Sequence, residues 1–331
     1  MPAELTAPPA IPAPRPITSI VVGTDFTPCS AVALGQAVRI AAWSGAALKV
    51  VHVIDTTVVI EVETALSEFQ KNIRDGLVHD AEKAWGEFAA TIPGAAGLPV
   101  EVSINNRIVG ILRRAHENKA DLLVMGAFGD RRPDVGFGTV ATACVRKSMT
   151  DVLLVRDTQK GPFKTIVAAV DFSETSARAL ERAAHVAARD GAELHLLHVF
   201  AAPWHRLHYR APTPLVQAHE QKQYRDALER RLAEWARPVT ERHPGLRVRS
   251  VCYDYNGHRS GIVEYAKSVS ADLIALGTRG RTNLRDILLG STAEKALGES
   301  PCSVLAVKPV DAYHPLASGE EPRLMGMREH F

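Results

Sequence analysis

Ile20-Val21-Val22-Gly23-Thr24-Asp25-Phe26 returns later in the chain as Val167-Ala168-Ala169-Val170-Asp171-Phe172. Three further apolar runs return in the same order. Leu48-Lys49-Val50-Val51-His52-Val53 matches Leu194-His195-Leu196-Leu197-His198-Val199, and Ala120-Asp121-Leu122-Leu123-Val124-Met125-Gly126 matches Ala271-Asp272-Leu273-Ile274-Ala275-Leu276-Gly277. Asp151-Val152-Leu153-Leu154-Val155 matches Ser303-Val304-Leu305-Ala306-Val307. The Asp and His pairs lie 146 residues apart, the glycine pair 151 and the last pair 152. Four runs repeating at a nearly constant interval signify duplication, at a period too long for a solenoid.

Between the runs lie longer stretches with helical spacing. Ala177, Leu180, Ala184 and Ala187 mark one face of a helix after the first strand of the second unit. Thr27-Pro28 opens the matching helix of the first unit, with Thr as N-cap and Pro at the first helical position. About Glu61 to Phe88, and its counterpart from about Pro214 to His243, read as long, charged, amphipathic segments. Short strands apolar on both faces and joined by helices imply parallel sheets covered on both sides. Each unit therefore reads as a doubly wound, Rossmann-like α/β domain of five strands. The expected boundaries are 1–16 for a disordered arm, 17–158 and 164–310 for the units, and 311–331 for a tail. The arm holds six prolines (Pro2, Pro8, Pro9, Pro12, Pro14 and Pro16) among alanines, which bars a helix interior.

Composition narrows the function. At ~100–200 residues per domain, 331 residues make about two. Lys and Arg number 39 against 37 Asp and Glu, for a formal charge of +2, which does not support a general binder of nucleic acid or of membrane surfaces. Cys29, Cys144, Cys252 and Cys302 are far apart, with no metal-ligand spacing and no disulfide framework. No apolar run reaches the ~18 residues of a membrane span, and the N-terminal residues lack a secretory pattern. The expected compartment is the cytoplasm.

In a doubly wound sheet, ligands sit beyond the carboxyl ends of the strands where strand order reverses. That directs attention to the turns after strands one and four. Asp25 and Asp171 follow strand one; each suits a sugar hydroxyl or a metal, or serves only a nearby backbone N–H. After strand four of the second unit comes Gly277-Thr278-Arg279-Gly280, then nine residues, then Gly290-Ser291-Thr292. Glycines permit close backbone approach, and a helix N-terminus suits phosphate. Arg279, Arg281 and Arg285 add cations to the loop. A competing reading makes Ser291-Thr292-Ala293-Glu294 a capping box that needs no ligand. In the first unit Gly126-Ala127-Phe128-Gly129 is followed by only eight residues before Gly138-Thr139. The shorter loop is expected to misplace the helix N-terminus there, leaving a degenerate site. No GxxxxGK[ST] stretch occurs, and neither first strand runs into GxGxxG, which excludes a P-loop NTPase and leaves a dinucleotide site unsupported.

The G-2x-G-9x-G-[ST] pattern after strand four, with Asp after strand one and His-Val on strand two, resembles the universal stress protein family over about residues 17–156 and 164–308. The resemblance implies strand order 3-2-1-4-5 and ATP, with Mg²⁺, at the carboxyl edge. Asp171 would then contact the ribose and Val199 the adenine. Leu276 and Gly277 would line the base and sugar pocket, and Gly280, Gly290, Ser291 and Thr292 would hold phosphates. The first-unit equivalents are Asp25, Val53, Met125, Gly126, Gly129, Gly138 and Thr139. The family's pairing through last strands implies that Val152–Val155 and Val304–Val307 meet within the chain, and leaves homodimerisation open.

The implied function is a nucleotide-dependent stress regulator or sensor that passes its state to an unidentified protein partner. The alternatives are slow ATP hydrolysis or phosphoryl transfer assisted by Asp171 and Mg²⁺, and an interaction module that takes no nucleotide. His52 and His198 read as satisfied strand-end histidines rather than bases. His205 and His208, three apart, lack an evident third ligand for a metal, and Cys302 reads as buried and inert.

Overall fold

The computed structural model describes residues 10–13, 15–68, 71–130, 136–202, 204, 218–255, 258–280 and 289–310. Within them the first unit runs β1 (Ser19–Thr24), α1 (Pro28–Ser44), β2 (Ala47–Asp55), α2 (Thr56–Leu66), α3 (Ile73–Ala90), β3 (Val100–Asn105), α4 (Arg107–Glu117), β4 (Leu122–Gly126), α5 (Thr139–Lys147) and β5 (Asp151–Val155). The second runs β6 (Thr165–Ala169), α6 (Glu174–Asp190), β7 (Glu193–Phe200), α7 (Ala218–Arg242), β8 (Arg247–Asp254), α8 (His258–Ser268), β9 (Leu273–Gly277), α9 (Ser291–Glu299) and β10 (Ser303–Val307).

The strands form one sheet in the order β3-β2-β1-β4-β5-β10-β9-β6-β7-β8. Each half has the order 3-2-1-4-5 and is parallel throughout. The halves join where β5 and β10 pair antiparallel, with Val304 opposite Leu154, Leu305 opposite Leu153 and Ala306 opposite Val152. Both strands are buried along their whole length. Left unpaired, such an edge would recruit a strand from another chain; here each edge satisfies the other.

Two hydrophobic cores lie on opposite faces of the sheet, and each is continuous across both units. One packs α1, α3, α6 and α7, through Leu34, Trp85, Leu180 and Leu232 among others. The other packs α4, α5, α8 and α9, through Ile111, Val145, Ile262 and Leu297. The α6 face read from the sequence is in place: Ala177, Leu180, Ala184 and Ala187 are all buried. So is the start of α1, where Thr27 caps by accepting from Ser30 N at 3.3 Å and Pro occupies the first turn.

Two elements differ from the sequence expectation. The segment 61–88 holds two helices, α3 starting after Asn72, which takes a left-handed conformation (φ 59°) that Asn tolerates well. Its counterpart α7 is one 25-residue helix. The proline-rich arm, expected to be free, is docked in its described part. Ile11 is buried in the first core. Arg242 donates to Pro12 O at 3.4 Å and Arg182 to Arg15 O at 2.6 Å. A proline-rich strand loses N–H donors but keeps its carbonyls, so arginines of α6 and α7 can hold it.

Buried charges tie the seam. Asp151 accepts Lys308 N at 2.9 Å and Arg182 Nε at 3.1 Å. Arg39 of α1 pairs with Asp190 of α6, whose Oδ2 accepts Phe163 N at 2.8 Å. Lys308 Nζ, almost wholly buried, donates to Val145 O in the last turn of α5. Burial pushes its pKa down to about 8; Asp151 opposes this and Arg279 adds to it. Between about pH 8 and 10.5 the unfolded chain holds a proton at this residue that the folded chain has released. The burial cost is thus fully present below pH 8 and is relieved as pH rises. In urea titrations wild type should therefore gain about 1–3 kcal/mol relative to Lys308→Met between pH 7.5 and 10. Curves that stay parallel over that range would rule this account out.

Candidate functional site

The carboxyl ends of β1 and β4, and of β6 and β9, form the two crevices at which strand order reverses. Each begins with the same turn. Asp25 Oδ1 accepts Thr27 N at 3.2 Å and Thr27 Oγ1 at 2.6 Å; Asp171 Oδ1 accepts Ser173 N at 3.0 Å. One oxygen of each carboxylate therefore serves the backbone. The other faces the loop after strand four: a Cβ on Gly129 would lie 2.8 Å from Asp25 Oδ2, and one on Gly280 would lie 2.9 Å from Asp171 Oδ2. The backbone-serving reading of these aspartates is seen on Oδ1.

Phe26 and Phe172 follow these aspartates with φ of 62° and 61°, a left-handed conformation that costs a non-glycine residue about 1–2 kcal/mol. Ring packing holds them there. Phe26 stacks on His52 at 4.4 Å between centroids, and Phe172 meets His198 at 4.8 Å and Trp235 at 5.2 Å. His52 Nδ1 lies 2.9 Å from Thr24 O, and His198 Nδ1 lies 2.9 Å from Val170 O. A carbonyl only accepts, so Nδ1 carries the proton in both. Burial lowers the pKa of His52. Both are satisfied strand-end histidines, as the sequence indicated.

The glycine loops close alike in the two units. Gly138 N donates to Ala127 O at 2.8 Å, and Gly290 N donates to Thr278 O at 2.7 Å. A Cβ would meet backbone at 3.3 Å at either position, Phe128 Cα for Gly138 and Thr278 O for Gly290. Each glycine is an N-cap with extended backbone and no side-chain cap bond, heading a nine-residue helix. The shorter loop of the first unit therefore leaves its helix N-terminus in place, against the sequence expectation, because a backbone hydrogen bond fixes Gly138 to the strand-four turn. The capping box is also not formed. Gly290, not Ser291, is the cap, and Ser291 is exposed at the first helical position.

In the first unit these parts surround a cleft of about 990 Å³, near the top of the ~300–1,000 Å³ range usual for ligand sites. All seven residues read from the sequence line it: Asp25, Val53, Met125, Gly126, Gly129, Gly138 and Thr139. Sequence reasoning missed Thr24, Asp55, Arg107, Phe128 and Phe137, which line it too. Asp55 ends β2, caps α2 by accepting Thr57 N at 3.0 Å, and lies 3.4 Å from Arg107 Nε. The Thr57 hydroxyl, then its N–H, lower the Asp55 pKa. A usable signal was Gly110, repeated as Gly261. A Cβ there would come within 2.9 Å of Val53 Cγ1 and 2.6 Å of Val199 Cγ1, so each glycine seats the helix against the strand-two valine.

In the second unit Asp171, Val199, Leu276, Gly277, Gly280, Gly290, Ser291 and Thr292 hold the equivalent positions on β6, β7, β9 and α9 and their turns. Arg281 and Arg285 lie outside the described residues. Arg279 is buried, and its charge adds to the lowering of the Lys308 pKa. His205 and His208 lie outside the described residues, and among those described no cluster of three metal-ligating side chains occurs. The cysteines are buried and free of disulfides, and burial pushes Cys144, Cys252 and Cys302 up to about 12, so they are not thiolates.

Comparison with known proteins agrees with the duplication. A family model described as the universal stress protein family matches residues 16–156 and again 162–308. A universal stress protein of Mycolicibacterium smegmatis is 26% identical over 304 residues, covering 88% of this chain and 97% of its own. One of Methanocaldococcus jannaschii is 32% identical over 151 residues, 44% of this chain and 82% of its own. Among solved structures, a universal stress protein from Archaeoglobus fulgidus shares the fold, with a TM-score of 0.59 at 20% identity, covering 88% of this chain and 98% of that one. No described helix is long and apolar enough to cross a membrane.

The close approach of β4 to α1 gives a stability test. A Cβ on Gly126 would lie 3.1 Å from Ser30 N and 3.2 Å from the Cys29 carbonyl carbon, both backbone. Gly126→Val should cost about 1–3 kcal/mol in urea denaturation. Gly86→Ala, inside α3 with nothing within 4 Å, should instead stabilise by about 0.5–1 kcal/mol.

Proposed function

The chain belongs to the universal stress protein family, and from that membership we propose that each unit holds one ATP and that the chain acts as a nucleotide-dependent regulator. The observation that carries the reading is the closure of each glycine loop. One hydrogen bond joins the third glycine to the strand-four turn, and an aspartate oxygen faces the second glycine so closely that a Cβ there would displace it. This leaves backbone N–H groups and the positive end of a helix dipole free at the place where a phosphate chain would run. The same features occur in both halves, so both are assigned a nucleotide.

Within the first cleft the division of labour follows from chemistry. Val53 and Met125 supply apolar walls for a base, and Asp25 Oδ2 accepts from a ribose hydroxyl. Gly126 and Gly129 let the backbone come close, and Gly138 and Thr139 present the head of α5 to phosphate. Asp171, Val199, Leu276, Gly277, Gly280, Gly290, Ser291 and Thr292 take these roles in the second unit. Magnesium bound with ATP would offset the negative charge of Asp25 and Asp130 at the first cleft.

Isothermal titration with Mg-ATP should give two equivalents per chain. Gly138→Val and Gly290→Val should each remove one, by crowding the phosphate end. Asp25→Asn keeps one oxygen acceptor for the turn but removes the carboxylate charge. It should weaken first-unit binding roughly tenfold, the loss of about 1.4 kcal/mol, while the melting temperature stays within a few degrees. A folded wild type that takes up no nucleotide would refute the reading.

A further inference from the structure

Because β5 and β10 run antiparallel, the carboxyl edge of each half lies beside the C-terminal end of the other half's last helix. Contacts at one of these junctions are unusually close. Gly136, with φ of 79°, sits two residues before the cap of α5 in the first-unit loop. A Cβ there would lie 2.4 Å from Gly298 O and 2.8 Å from Leu297 O, both on α9 of the second unit. Arg156, immediately after β5 and buried, bonds both sides. Its Nη2 donates to Gly136 O at 2.8 Å and to Ser300 O, the C-cap of α9, at 2.7 Å. Its guanidinium lies 5.4 Å from the centroid of Phe137, and Phe137 lines the first cleft.

The head of α9, at Gly290 and Ser291, is the phosphate end assigned to the second unit, and its tail abuts the wall of the first cleft. The helix has nine residues, about 13 Å at 1.5 Å per residue, and behaves as one short rod. Its end carbonyls already touch Gly136 with no room for a methyl group. A displacement of a few tenths of an ångström cannot be absorbed in such a contact and must pass to the residues beyond it.

Resting on the nucleotide reading of both units, we propose that the two sites are coupled through α9. Occupation of its head in the second unit repositions Gly136 and Phe137 and so alters nucleotide affinity in the first, with Arg156 as the positioning residue that makes the junction stiff. The two states are the junction as described and one in which the tail of α9 has shifted against Gly136. By linkage, first-unit ligand must change second-unit affinity by the same factor.

The test is calorimetric titration of the full chain with Mg-ATP, comparing wild type with Gly138→Val and Gly290→Val, which isolate the second and first sites respectively. Coupling predicts that the wild-type isotherm departs from the sum of the two single-site isotherms, with first-site affinity differing roughly fivefold or more between the free and occupied second unit. Arg156→Met should bring the isotherm back to additivity. Phe137→Leu, which gives the first unit the residue found at the corresponding Leu289, removes the ring under Arg156 and should reduce the departure even if Arg156→Met does not fold. Two independent sites in wild type, or a single site, would overturn the coupling while leaving ATP binding intact. Absence of all uptake would refute the nucleotide reading itself.

Discussion

The antiparallel meeting of β5 with β10 is the constraint on which the rest of the molecule depends. Every other strand pair joins neighbours within one half. This pair converts two five-stranded sheets into one, and its symmetry decides what else can touch. Arg156 and Lys308 occupy equivalent places just past the last strand of each half, and each reaches a carbonyl at the end of the other half's last helix. Cationic side chains suit that position, where helix carbonyls lack intrahelical partners and the dipole is negative. A buried cation is expensive unless hydrogen-bonded, so the pairing also specifies register: a slip along the seam would take from each cation the carbonyl that the other half supplies.

The fold was legible because its signals are local and repeated. Two sets of apolar runs in constant order, Thr27-Pro28 at a helix start and the alanine stripe of α6 each report on a few neighbouring residues. The strand-four glycines were legible for a similar reason, since close approach leaves no alternative residue. What stayed hidden depends on direction or on distant partners. Arg279 reads as a loop cation, yet its side chain is buried. The missing loop residue reads as damage, yet the bond from Gly138 N to Ala127 O holds the helix head regardless. Ser291 with Glu294 reads as a capping box, but Gly290 closes on Thr278 and takes the cap position first. At Gly138 and Gly290 a backbone contact formed by folding fixed the helix head, and at Gly290 it outweighed a capping preference of Ser291 worth about 1 kcal/mol.

The proline-rich arm illustrates the same limit. Composition forbids helix and strand but says nothing about docking. Ile11 supplies apolar surface, and the carbonyls of Pro12 and Arg15, with no partners of their own in an extended segment, accept from Arg242 and Arg182. Arg182 also holds Asp151 at the seam, and Arg242 also holds the buried Glu181. The arm thus leaves the first unit at β1 and is bound by the second, adding a further tie between halves beside the strand pair, the shared cores and the buried charges of the seam.

The two crevices share a backbone and differ in what lines it. Both carry the Asp-Phe turn with its left-handed phenylalanine, the strand-end histidine, and a third glycine bonded to the strand-four turn. Such strain persists only where surrounding packing over-determines it, and finding it twice shows that the turn geometry is kept as a unit. Around it, the first half places Asp55 at the end of β2 beside Arg107 at the start of α4, where the second has Ala201 and His258 in the corresponding sequence positions. Phe128 of the first loop corresponds to Arg279 of the second, and Phe137 to Leu289. Backbone closure is therefore the property common to both halves, and discrimination between them has to come from side chains at the rim. The first half places two aromatic residues there, Phe128 and Phe137 on the cleft wall, and Phe137 packs under Arg156, which bonds the second half at Ser300 O. The wall of one site and the seam between the two are built from the same residue, so neither can be altered without the other.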